Sequence, residues 1–163
     1  MCPTLPAPSM PTDATYDLKR DGFTILKGVH PRERTQAARE FIQRVIVYAE
    51  RQLGDPYAPY YLRHRADQGA LYDVVQRHPE LHAFAREPVV LDTLATELGE
   101  DIYMYENSVV YKPRGKRNAV PYHQDFISRA DEPLKLIAWS AMEPVTAATG
   151  AMWVFPGSHK LGF

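Results

Sequence analysis

Apolar residues recur at helical spacing between Pro31 and Leu53. They lie three or four positions apart, which places them on one face of an α-helix. Pro31 suits the first turn of such a helix, and Gly54 suits the position just after its end. The apolar face comprises Ala38, Phe41, Ile42, Val45, Ala49 and Leu53, while Arg32, Arg34, Arg39, Arg44 and Arg51 lie largely off it. The pattern predicts one long amphipathic helix with an arginine-rich, solvated side.

Shorter elements are predicted on both sides of this helix. Before it, residues 13–20 predict a short helix capped by Asp13 or Thr15, and residues 22–29 predict a strand between glycines. After it, residues 55–69 are rich in proline, tyrosine and arginine without a clear period, which is typical of a long loop. Three further helices are predicted over residues 71–77, 79–86 and 88–98, the last two opening with proline and the last ending at Gly99.

Beyond Gly99 the pattern changes to that of β-strands. Aromatic and β-branched residues are concentrated in residues 101–111, 120–127, 134–142 and 150–155, and turn residues bound each segment. The basic loop at residues 112–118 is predicted to be a solvated hairpin end, with steering of an anionic cosubstrate as the alternative. Helices followed by strands predict an α+β protein.

Composition narrows the class of protein. The proline-rich residues 1–12 predict a disordered tail before a single domain at residues 13–163. A net charge of −1 gives no reason to expect nucleic acid or an anionic membrane as a partner. No apolar run is long enough for a membrane span, and the first residues do not resemble a secretory signal. The single cysteine, Cys2, cannot form an intrachain disulfide, so a cytoplasmic location is expected.

The candidate chemistry lies in the stretch Tyr122-His123-Gln124-Asp125-Phe126. In an extended strand, residues two apart point to the same face, so His123 and Asp125 would project together. An imidazole and a carboxylate side by side make two of the three ligands of the facial triad that holds non-haem Fe(II). A His-x-Asp spacing is also common by chance, so the surrounding sequence has to show whether this one binds a metal.

The other histidines offer no comparable pair. His78 and His82 could share a helix face, but Pro79 places His78 at a helix boundary and the residues between them do not match the metalloprotease pattern. His30 and His64 are predicted to be solvated residues of turns and loops.

Three stretches together resemble the phytanoyl-CoA dioxygenase family. They are Tyr111-Lys112-Pro113, Tyr122-His123-Gln124-Asp125, and Gly150-Ala151-Met152-Trp153-Val154-Phe155-Pro156-Gly157-Ser158-His159-Lys160. The last is the most specific, and the resemblance covers roughly residues 15–163. It implies N-terminal helices packed on a double-stranded β-helix, the cupin-like jelly roll.

The resemblance also implies a chemistry. Fe(II) and 2-oxoglutarate would be the cofactor and cosubstrate, and O2 would be used to hydroxylate a small organic molecule. His123 and Asp125 match the first two iron ligands, and the carboxylate favours hydroxylation over halogenation. Trp139 matches a strand position that often lines the cosubstrate pocket, with a core aromatic as the alternative, and His159 belongs to a structural turn. Further pocket residues would be Tyr105, Asn107 and Val109 or the opposite set, because sequence does not fix the strand register.

The family pattern is incomplete in this sequence. The third iron ligand, a histidine, and the basic residue that pairs with 2-oxoglutarate are expected downstream of the turn, yet the sequence given stops at Phe163. The four strands predicted after Gly99 are about half of an eight-strand jelly roll. Three explanations stay open: a fragment of a longer enzyme, a subunit completed by a C-terminal polypeptide or by another copy of the chain, and a truncated inactive relative. The competing functions are a non-catalytic cupin-like binding or partner subunit and, more weakly, a metal-binding isomerase or hydrolase.

Overall fold

A computed structural model describes residues 15–52, 64–65, 69–112, 120–124 and 135–161. The chain forms two compact units, one made of residues 1–27 and 145–163 and the other of residues 28–144. The helices are α1 (Leu18–Asp21), α2 (Arg32–Arg51), α3 (Val74–Arg77), α4 (Pro79–Ala85) and α5 (Pro88–Leu98), and the strands are β1 (His64–Arg65), β2 (Ala70–Tyr72) and β3 (Ser108–Val110). The predicted tail, most of the loop at residues 55–69, nearly all of the basic loop and Asp125 lie outside the described residues.

The long amphipathic helix is confirmed as α2. Its buried residues, Ala38, Ile42, Val45 and Ala49, belong to the predicted apolar face, and its five arginines are exposed. Pro31 is the residue before the first turn rather than part of it, since α2 begins at Arg32. Burial of one face therefore positions α2 as the sequence predicted.

The two proline-initiated helices are also confirmed. Pro79 and Pro88 occupy the first turns of α4 and α5, and Gly99 ends α5 with a φ of 86°. Proline has no N–H to leave unpaired at a helix start, and glycine tolerates positive φ at a helix end. Local chemistry is therefore enough to set these boundaries.

The hydrophobic core of residues 28–144 joins α2, α3, α4 and β2. Leu71 and Val74 are completely buried, and Leu81 and Phe84 of α4 pack in the same cluster as the apolar face of α2. Complete burial of one such aliphatic side chain contributes about 1.5–3 kcal/mol, so Leu71 and Val74 contribute substantially to the stability of the unit.

The observed sheet uses segments that the sequence assigned to a loop and a helix. Its three antiparallel strands have the order β1-β2-β3, with Leu71 opposite Val109. The predicted helix at residues 71–77 is therefore wrong for Leu71 and Tyr72 and begins only at Val74. The loop prediction is wrong at His64–Arg65, which forms β1. Pairing on both sides of β2 outweighs a weak local preference for helix.

Most of the predicted strands are not observed in the described residues. Within the 101–111 segment only Ser108–Val110 is a strand, and the described parts of the other three segments have no strand pairing. The strand predicted at residues 22–29 is also wrong. Aromatic and β-branched residues favour a strand only where a neighbouring strand supplies hydrogen bonds. The jelly roll stays a prediction.

Asn107 joins the β3 segment to α3 through both its side chain and its backbone. Its Oδ1 accepts a hydrogen bond from the Val75 N–H at 2.8 Å, and its backbone oxygen accepts from the Asp73 N–H at 3.0 Å. Asp73, the residue before α3, makes no side-chain cap of its own. Asn107 therefore supplies from a distant part of the chain the cap that helix starts usually receive locally.

Replacing Asn107 with alanine should leave the Val75 N–H without its acceptor. We expect a loss of about 1–2 kcal/mol in the free energy of unfolding, measured by urea titration. Asn107→Asp keeps the acceptor oxygen and is the matched control, so it should retain more stability than the alanine variant. Equal losses in the two variants would contradict the capping role.

Candidate metal centre

His123 has a backbone partner that fixes its ring. Its Nδ1 lies 2.8 Å from the carbonyl oxygen of Pro121, and the side chain is exposed. Because a carbonyl oxygen only accepts, Nδ1 donates, and the neutral ring then carries its lone pair on Nε2. Metal-binding histidines commonly hold their second nitrogen in this way. The contact with Pro121 thus places the lone pair of the neutral ring on Nε2, as binding of a metal through that atom would require.

The partner ligand Asp125 falls outside the described residues. Among the described residues, no three His, Cys, Asp or Glu side chains come together as a metal site. His123 and Asp125 therefore stay predicted iron ligands.

The His78 and His82 pair shows no sign of a metal role in the part of the chain that is described. His78 is the residue before α4, as predicted, and its ring packs edge-on against Phe41 with centroids 5.0 Å apart. His82 is partly buried on α4. The ring of His78 serves packing between α2 and α4.

Trp139 lies in the exposed middle of its segment. Met142 packs against that core and Leu136 is partly buried, whereas 58% of Trp139 and 57% of Ile137 are exposed. Ala138, Ser140 and Ala141 are exposed as well, so partial burial is confined to the two ends of the described segment. The alternative of a core aromatic is therefore wrong for Trp139 in this structure, because more than half of its side chain is exposed.

The structure shows the surroundings of the pocket candidates near β3. Val109 and Tyr111 are partly buried against the core, and Asn107 binds α3. Ser108 and Val110 are exposed on the opposite side. Asn107 and Val109 therefore serve the helical layer, whereas Tyr105 of the same set is exposed, so which set lines a pocket stays a prediction. Burial and the nearby Glu50 carboxylate raise the pKa of Tyr111, so its hydroxyl stays protonated.

His30 was predicted to be solvated, and this prediction is wrong. Only 10% of its side chain is exposed, because its ring packs on Phe84 with centroids 4.3 Å apart. Its Nε2 lies 3.3 Å from Ser140 Oγ, and its Nδ1 lies 3.6 Å from Glu87 Oε1, which also pairs with Arg34. Burial and, secondarily, the charge of Arg34 lower the pKa of His30 below 6.5. The sequence offered little indication that His30 is buried, because its one distinguishing feature is its position just before an amphipathic helix.

The turn containing His159 packs against the end of α1. The last carbonyl groups of a helix have no partners within it. Three donors of the turn reach carbonyl oxygens of α1: Gly157 N to Asp21 at 2.8 Å, Lys160 Nζ to Arg20 at 2.9 Å, and His159 Nε2 to Lys19 at 3.2 Å. These contacts account for His159 as a structural residue.

The start of α1 is capped by Asp17 rather than by Thr15. Asp17 Oδ1 accepts from the Arg20 N–H at 2.8 Å, and Asp21 Oδ2 accepts from the Asp17 N–H at 2.9 Å. The hydrogen bond from Arg20, followed by that from Asp17, lowers the pKa of Asp21 to about 2. The carboxylate that closes this turn thus stays ionised down to strongly acidic pH.

Comparison with known proteins adds an independent finding. A family model described as "Phytanoyl-CoA dioxygenase (PhyH)" matches residues 18–163. Human "Phytanoyl-CoA dioxygenase, peroxisomal" is 32% identical over 90 residues, which is 52% of this chain and 27% of the human protein. The match thus spans about a quarter of the length of that relative. No solved structure matches the chain. None of the helices in the described residues is long and apolar enough to cross a membrane. Since the family model covers residues 18–163, which is most of the chain, the chain belongs to the phytanoyl-CoA dioxygenase (PhyH) family.

Proposed function

We propose that this chain carries part of the active site of an Fe(II)- and 2-oxoglutarate-dependent dioxygenase that hydroxylates a small organic molecule. The observation that carries the proposal is the family match over residues 18–163, because members of this family use Fe(II) and 2-oxoglutarate. The ring orientation of His123 supports it, since a lone pair on Nε2 is what an iron ligand requires.

The roles of the residues follow from their chemistry. His123 would bind iron through Nε2 while the Pro121 carbonyl holds Nδ1, and Asp125 would add a negative charge that favours a divalent cation. When bound, Fe(II) with 2-oxoglutarate supplies the activation of O2, so that one oxygen atom enters the substrate and the other enters succinate as CO2 leaves. The exposed indole of Trp139 would line the cosubstrate pocket and exclude water from it.

The remaining ligands are part of the proposal. A third histidine and a basic residue for the far carboxylate of 2-oxoglutarate would come from further residues of a longer chain, from a complementing C-terminal polypeptide, or from another copy of this chain. The jelly roll would be completed by the same source. The cytoplasmic location expected from the sequence stays a prediction.

The test combines the intact mass of the purified active species with its Fe(II) content and its production of succinate from 2-oxoglutarate. We expect a species with additional residues or an additional chain, about one iron per site, and succinate formation that requires Fe(II). A stable 18.6 kDa chain that binds no iron and converts no 2-oxoglutarate would overturn the proposal. That outcome would favour a non-catalytic binding subunit.

A further inference from the structure

The contacts of His30 connect three separate parts of the unit formed by residues 28–144. The ring packs on Phe84 of α4, Nδ1 faces Glu87 at the start of α5, and Nε2 reaches Ser140. Ser140 directly follows Trp139 and lies two positions before Met142, which packs against the core. His30 thus contacts the helical layer with one side of its ring and the Trp139 segment with the other.

The Glu87 carboxylate favours one of the two neutral tautomers of the His30 ring. Glu87 is a carboxylate that only accepts, so a hydrogen on Nδ1 is favoured by the oxygen 3.6 Å away. In that neutral tautomer Nε2 has the lone pair and accepts the hydroxyl hydrogen of Ser140. Because a hydroxyl both donates and accepts, His30 Nε2 and Ser140 Oγ can share this bond in either tautomer of the ring.

We propose that His30 is a positioning residue for the cosubstrate pocket: its hydrogen bond with Ser140 holds the adjoining Trp139 segment against the helices and so sets the place of the exposed indole. The assignment of Trp139 to that pocket rests on the proposed function. The holding of the segment by His30 does not, because it is carried by contacts among residues 28–144 alone.

The other polar contacts that the described residues of this segment make lie farther along the chain from Trp139. Arg39 and Glu143 form an ion pair at 3.0 Å, but about half of each side chain is exposed, and exposed ion pairs contribute little to stability. Lys135 lies over the Tyr105 ring, 4.4 Å from its centroid, and is four positions from Trp139. Ser140 is the immediate neighbour of Trp139, and its partner ring is nearly buried. Among these contacts of the described residues, the His30 contact is thus the nearest in sequence to the indole.

Protonation of His30 should weaken this anchor. A second proton on Nε2 only reverses this bond, since the Ser140 oxygen can also accept, so the anchor is weakened by the cost of burying a charged ring. The groups that face the ring are Glu87, which favours the charged form, Arg34, which opposes it and already pairs with Glu87, and the uncharged Ser140 and Phe84. Burial decides the balance, because it lowers the pKa of His30 from 6.5 in the folded protein. The neutral anchor is therefore intact at neutral pH and is lost as the pH falls below 6.5 and through the lower pKa of the folded state.

The experiment follows Trp139 directly in the full chain. Trp153 is the second of the two tryptophans, so Trp153→Phe leaves Trp139 as the sole fluorophore. In this background we expect the fluorescence anisotropy of Trp139 to fall with acid along a single transition whose midpoint lies below 6.5. Ser140→Ala should give the low, acid-like anisotropy already at neutral pH, and Ser140→Thr, which keeps a hydroxyl, should restore the higher value. His30→Gln, which does not titrate, should remove the transition.

The controls separate this role from general damage to the fold. Thr96→Ala removes an exposed hydroxyl that bonds only within α5, and His82→Gln replaces a partly buried histidine of α4. Neither should change the Trp139 transition. The proposal is overturned if Ser140→Ala and His30→Gln leave the anisotropy and its pH dependence unchanged while circular dichroism shows an intact fold. It is also overturned if the control variants alter both as strongly.

A kinetic readout then tests the link to the pocket. In the assembled enzyme, Ser140→Ala should raise the KM for 2-oxoglutarate about three- to tenfold, the range expected for one hydrogen bond, with little change in kcat. If Ser140→Ala alters the Trp139 transition but leaves the KM for 2-oxoglutarate unchanged, the role of His30 in the pocket is overturned. Its role in holding the Trp139 segment would then still stand. Absence of any 2-oxoglutarate turnover in the parent protein would instead contradict the proposed function, while the fluorescence result would still decide the role of His30.

Discussion

Replacing His123 with alanine is expected to lower Fe(II) affinity by at least about 100-fold, because removal of a residue that merely orients a ligand already costs about 10- to 100-fold. Succinate formation from 2-oxoglutarate should fall to background with it. The ring is exposed and contacts the Pro121 carbonyl of its own segment, so its removal should not disturb the hydrophobic core. The expected phenotype is therefore a folded protein without iron.

The measurement is iron content and 2-oxoglutarate decarboxylation in the species that is active before mutation. His82→Ala, on α4, is the matched control and should retain both. Asp125→Ala should reproduce the loss, because it removes the negative charge assigned to the same metal. Full iron occupancy in the His123 variant would exclude His123 from the metal site and leave the His-x-Asp pair without a functional role.

The second large effect is expected at Gly22, which ends α1. Its φ of +83° lies in the left-handed region, and a Cβ placed on it would meet His159 Nδ1 at 2.3 Å. Gly22→Ala should thus lose about 2–4 kcal/mol, combining the backbone strain of a side chain at positive φ with the displacement of a packed ring. The loss should appear as a lower urea midpoint for unfolding of the unit made of residues 1–27 and 145–163.

Trp153 reports on that unit once Trp139 is replaced by phenylalanine. Gly157→Ala is the matched control, because Gly157 has a φ of +80° with nothing within 4 Å of its Cβ position, so only the backbone strain applies. Adding His159→Ala to the Gly22 variant should recover part of the loss, since the obstructing ring is gone. Equal losses at both glycines, with no recovery in the double variant, would show that His159 does not pack tightly on α1.

The elements that sequence predicted correctly are those whose signals are local. The apolar stripe of α2 repeats within one helix, and Pro79, Pro88 and Gly99 mark helix boundaries through their own backbone chemistry. The strands were predicted less accurately, because strand formation depends on a partner strand that is distant in sequence. Leu71 pairs with Val109, and nothing in residues 71–77 alone distinguishes that pairing from a helix.

For the candidate site, the sequence by itself determined the family, through the His-x-Asp pair and the Pro-Gly-Ser-His-Lys turn, and it named His123 and Trp139 as the residues to examine. Tertiary structure decided what spacing does not encode: that Trp139 is exposed and that Asn107 serves α3. It also decided that His30, which looked solvated, is nearly buried between Phe84, Glu87 and Ser140. The physical reason is that a short motif is fixed by its neighbours in sequence. Burial, register and side-chain partners arise from contacts between residues dozens of positions apart, and these exist only in the folded chain.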